Sequence, residues 1–173
     1  MCHGPLFGKI IRFSIPLMLS GILQLLFNAA DIIVVGRFVG STALAAVGST
    51  SSLINLLINL FIGFSVGANV LVARFHGAGR DDEVNETVHT AITLSMISGI
   101  FLLILGVTVT RTLLIWMGSP DDVLDQSSLY LKIYFLAMPA TLLYNFGSSI
   151  LRAVGDTKRP LFYLVTAGVI NVC

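Results

Sequence analysis

Asp31 is the only ionisable side chain in the 24 residues between Arg12 and Arg37, an otherwise apolar run from Phe13 to Gly36. A helix that crosses a bilayer needs about 20 predominantly apolar residues, and an acid inside one costs at least about 2.5 kcal/mol, so such acids are normally kept for ion or proton traffic. Ser20, Gln24, Asn28 and Asp31 recur at steps of four, four and three, which at about 100° per residue sets all four within an arc of about 80°. A polar stripe of this kind cannot face lipid cheaply. It points to a neighbouring helix or a wet cavity, where Gln24 and Asn28 can exchange hydrogen bonds with Asp31. Burial disfavours the charged carboxylate, whereas a bound cation or hydrogen-bond donors favour it, so Asp31 in such a cavity can load and release either H⁺ or Na⁺. Any metal at Asp31 would be that Na⁺. The competing reading is a carboxylate wetted near the outer interface, about five residues or ~7.5 Å from Gly36.

Further polar groups interrupt later apolar runs. Ser52, Asn55 and Asn59 share one helical face, suited either to cavity lining or to interhelical hydrogen bonds. Tyr130, Tyr134, Tyr144 and Asn145, with Pro139 between them to kink a helix, suit a cavity for flat organic cations through cation-π contact, or else ordinary core packing. His3, His76 and His89 are scattered, and Cys2 and Cys173 lie at opposite ends, so neither a metal cluster nor a disulfide framework is indicated. No nucleophile has a base at useful spacing, and Gly77-Ala78-Gly79 lacks the Lys-Ser/Thr of a phosphate loop. The expectation is a non-enzyme without cofactor, and a net charge of +1 gives no case for nucleic acid.

The elements that must carry these residues are membrane helices. Hydrophobic residues make up 55% and charged ones 11%, with mean hydropathy +0.92, against about 25% charged in ordinary soluble domains. Charge-free stretches predict helices at about 13–36, 44–72, 87–110, 128–151 and 160–173, an all-α integral membrane, polytopic bundle of four complete spans and a fifth that stops at Cys173. The whole chain reads as the amino-terminal part of a larger carrier. A cleavable signal peptide does not fit the first segment, whose run is too long and is followed by further spans. Lys9, Arg12, Arg74, Arg80, Arg152, Lys158 and Arg159 fall on one side and only Arg37, Arg111 and Lys132 on the other, which puts the first side, and the amino terminus, in the cytoplasm. Ser41 and Thr42 are suited to cap the second helix and Asp81-Asp82-Glu83 to complement the dipole of the third. Trp116 marks an interface, and Gly63 and Gly67 form a small-xxx-small pair for close helix packing.

Ile15-Pro16-Leu17-Met18, then Asp31 followed by Val35-Gly36-Arg37-Phe38-Val39-Gly40 and Leu44-Ala45-Ala46-Val47-Gly48, resemble the multidrug and toxic compound extrusion family. Gly67-Ala68-Asn69, Gly77-Ala78-Gly79-Arg80 and the run Leu151-Arg152-Ala153-Val154-Gly155-Asp156-Thr157-Lys158-Arg159-Pro160 continue the likeness in order and spacing. The resemblance implies a twelve-helix, two-lobed carrier of the cell membrane, of which this chain supplies the first four helices and part of the fifth. It also implies antiport, with an entering H⁺ or Na⁺ driving out small amphipathic, often cationic, organic substrates by alternating access. The family's cation-binding acid carries over to Asp31, its neighbours to Gln24 and Tyr130, and the fifth-helix asparagine to Asn171. Its partners would be the lipid bilayer and the carboxy-terminal remainder of the same carrier.

Two other functions fit the helix count. A lipid-linked oligosaccharide flippase would favour arginines in its cavity, whereas no Lys or Arg lies inside a predicted span. A small oligomeric channel or assembly subunit would account for a short chain.

Overall fold

The computed structural model describes residues 6–34, 36–37, 41–119 and 121–172. Five helices follow one another: α1 (Leu6–Val34), α2 (Ser41–Gly77), α3 (Asp81–Trp116), α4 (Asp121–Ala153) and α5 (Lys158–Val172). Each of α1 to α4 is longer than the charge-free run that marks it. At 36 residues, α3 is about 54 Å long and overruns an ~30 Å hydrocarbon layer. The apolar run therefore marks only the embedded part, and the helix continues into its charged ends. Expected capping by Ser41 and Thr42 concerns side chains outside the described residues, as do Phe38 to Gly40.

Three turns stop their helices by one device. Gly79, Gly118 and Gly155 have φ of 70°, 71° and 94°, a left-handed conformation that costs glycine least. In each, the glycine N–H donates three residues back, to His76, Ile115 and Arg152, and the next N–H donates five back, to Phe75, Leu114 and Leu151. These paired bonds are Schellman motifs, which satisfy carbonyls left open at a helix end. Asp81, Asp82 and Glu83 occupy the first turn of α3 as expected.

Ile10–Val34, Thr50–Gly77 and Asp81–Trp116 are long and apolar enough to cross a membrane. At 33 residues α4 is also long enough, but it is more polar, because it is the central helix and buries Ser127, Ser128, Ser148 and Ser149 among protein neighbours. Its stripe of Leu124, Leu131, Phe135, Met138 and Leu142 forms the core with Ile54 of α2 and Leu102 and Leu114 of α3. The helix runs unbroken through Pro139.

Close approach of α3 to α4 depends on small residues at four-residue steps: Ala91, Ser95 and Gly99, then Gly106 and Thr110, are buried. A Cβ on Gly99 would stand 2.5 Å from Pro139 Cα, and one on Gly106 2.0 Å from the Phe135 ring. By contrast, a Cβ on Gly63 or Gly67 would meet nothing within 4 Å. The expected close packing at that pair is thus not found within the described residues; Gly99 and Gly106 perform it instead. A polar lock joins α2 to α4, with Asn69 Nδ2 donating to Ser149 O at 2.6 Å and Ser149 Oγ to Ser65 O at 2.8 Å. The fifth helix packs chiefly on α1, with the Phe27 ring seated on Gly168, and Tyr144 Oη donates to Pro160 O at 3.3 Å.

Candidate cation and substrate cavity

Because α1 lies mainly against α5 while α2, α3 and α4 pack on one another, a gap of about 340 Å³ remains between α1 and the α2/α4 pair. Asn28 and Asp31 face it from α1, Ser51 and Asn55 from α2, and Tyr130 and Tyr134 from α4. Val47, Ile54 and Ile58 supply apolar wall. Its size is within the usual range for small-molecule sites.

Asp31 is the only charged group among the described residues of that lining. The Tyr130 and Tyr134 rings sit 6.4 Å apart, tilted 38° to each other. A carboxylate beside two aromatic faces suits an organic cation, and the same carboxylate with amide and hydroxyl oxygens suits a proton or a small hard cation. Among the described residues no group of three or more His, Cys, Asp and Glu gathers to hold a metal.

The remaining sequence candidates are distributed differently. Gln24 is exposed on α1, about two turns from Asp31 and outside the cavity lining, and among the described residues neither it nor Asn28 hydrogen-bonds to Asp31. Ser20 is buried and donates to Pro16 O of its own helix at 2.8 Å. Asn59 is exposed, its amide donating to Asn55 O at 2.8 Å. Tyr144 ties α4 to α5, and Asn145 is half-buried elsewhere on α4. The Asn171 side chain lies outside the described residues. Sequence reasoning missed Ser51, which sits one turn before Asn55 and donates to Val47 O at 2.6 Å; Ser52, taken for this face, is not among the lining residues. The available signal was the four-residue step from Ser51 to Asn55.

A family model for MatE matches residues 16–173. The chain belongs to the MatE family. A probable multidrug resistance protein, YoeA of Bacillus subtilis, is 36% identical over 92% of the chain and 35% of its own length. An FAD transporter of Shewanella oneidensis is 26% identical over 99% of the chain and 38% of its own. A crystal structure of a MATE protein in complex with MaD3S superimposes with a TM-score of 0.88 at 29% identity, over 95% of this chain and 37% of that one. The chain therefore spans about a third of the length of the MatE relatives it matches, and its fold is that of the corresponding part of a multi-pass membrane transporter.

Proposed function

We propose that this MatE chain forms the cation-coupling part of a drug antiporter of the cell membrane, working by alternating access with its amino terminus in the cytoplasm. The observation that carries this reading is the single cavity in which Asp31, Asn28, Asn55 and the Tyr130–Tyr134 pair meet. Binding of H⁺ or Na⁺ at Asp31 removes its charge, which weakens its hold on a cationic substrate and changes which partners its oxygens prefer. That shift can bias the conformational equilibrium only by the difference in cation affinity between the two states. Tyr130 and Tyr134 present ring faces to the organic cation, while Ser51 and Asn55 offer polar contacts opposite Asp31.

The family alone does not fix the substrate, since one relative is an FAD transporter. A carboxylate as the only charge among the described lining residues favours a cation over an anionic flavin phosphate or a lipid-linked oligosaccharide, because like charges repel. The test is efflux of a cationic dye from everted vesicles carrying the full-length gene product under imposed H⁺ or Na⁺ gradients. Asp31→Asn is expected to remove gradient-driven efflux while leaving the amount of membrane-inserted protein unchanged. Unaltered efflux by that variant would move the coupling site elsewhere.

A further inference from the structure

Two adjoining cavities lie at the opposite end of the bundle, where α1 begins and α2 and α4 finish. One, about 460 Å³, is lined by Arg12, Asp156 and Lys158; the other, about 360 Å³, by Asn69, His76 and Arg152. They share Phe13 and the turn at Val154 and Gly155. Among the described residues, Arg152 Nε is the one buried side-chain nitrogen or oxygen with no hydrogen-bond partner. Leaving a buried cationic donor unmade is costly, and the half-buried Arg152 has no protein partner at that nitrogen while its side chain lines the cavity.

The carboxylate already present does not serve. Asp156 Oδ1 accepts from the backbone N–H groups of Lys158 and Arg159 at 3.1 and 3.2 Å, and Oδ2 pairs with Arg159 Nε at 3.2 Å. Arg12, Arg152 and Lys158 are thus left as an excess of positive charge facing the paired cavities.

We infer that these cavities hold a phosphate ester, with the Arg152 guanidinium, Arg12 and Lys158 gathered around it. A guanidinium presents its donors in a fork that matches phosphate oxygens, and basic pockets between spanning helices at one membrane face suit anionic headgroups. A bound phosphate would bridge α1 to the α4–α5 turn and so tie the α1/α5 pair to the α2/α3/α4 group. The inference makes no use of Asp31 and stands apart from the coupling proposal.

The experiment uses the purified full-length protein in neutral detergent and measures binding of phosphatidylglycerol, phosphatidylcholine and inorganic phosphate by native mass spectrometry and titration. Phosphatidylglycerol or inorganic phosphate is expected to bind in preference to phosphatidylcholine, and Arg152→Gln to weaken that binding about tenfold. Lys158→Gln, an exposed change, is expected to weaken it severalfold and keeps the test decisive should Arg152→Gln fail to fold. Competition of phosphatidylglycerol by millimolar inorganic phosphate identifies a freely exchanging phosphate site, and its absence identifies a lipid headgroup. Equal retention of both lipids without phosphate binding, or wild-type binding by both variants, would overturn the inference.

Discussion

Asp31 faces a cavity with amides and phenols around it and, among the described residues, no paired cation, and on the proposed reading that arrangement leaves it available for exchange. Neighbours within the lining should then matter more than polar residues outside it. Asn55→Ala is expected to slow dye efflux about tenfold, the effect of one lost polar contact to a bound cation, whereas Gln24→Ala should change the initial rate far less; comparable losses would return Gln24 to the site. Asp31, Asn28, Asn55, Tyr130 and Tyr134 were legible in the sequence because each is polar or amphipathic within an apolar run. Ser51 was not, since a serine that bonds back to its own helix looks the same whether it lines a cavity or faces lipid.

At the scale of elements, the approach of α3 to α4 depends on two glycines. Gly106→Leu would drive a side chain into the Phe135 ring and is expected to lower stability by about 1–3 kcal/mol, read as a fall in melting temperature of the purified protein. Gly63→Leu meets open space within this chain and should stay within about 0.5 kcal/mol of wild type; a large loss there would mean that another helix of the carrier covers that face. Removing one bond of the polar lock with Ser149→Ala, which leaves the Asn69 bond to the Ser149 carbonyl in place, is expected to cost roughly 0.6 kcal/mol, the usual worth of such bonds between membrane helices. Helix number and order were readable from charge-free runs, because hydrocarbon tolerates few charges. The packing partners were not, because Gly63-xxx-Gly67 and Gly99-to-Gly106 differ in what they face and not in their letters. Boundaries erred for a related reason: once a helix leaves hydrocarbon, charged residues no longer end it.

For the whole molecule, short turns force successive helices to alternate direction, which gathers Arg12, Arg80, Arg152, Lys158 and Arg159 at one end of the bundle. With Cys2 and Cys173 replaced, Arg80→Cys should react with an impermeant thiol reagent only in everted vesicles, and Ser119→Cys only in right-side-out cells; the reverse pattern would invert the topology. The central claim is that one carboxylate serves both cation and substrate, and equilibrium binding tests it without the complications of transport. Affinity of the purified full-length carrier for a cationic dye should be measured at neutral and acid pH, and at low and high Na⁺, in wild type and Asp31→Asn. Wild type is expected to lose affinity as one of the two cations rises, and Asp31→Asn to bind weakly and indifferently to both. An Asp31→Asn carrier that binds dye as tightly as wild type, with the same cation dependence, would contradict the claim.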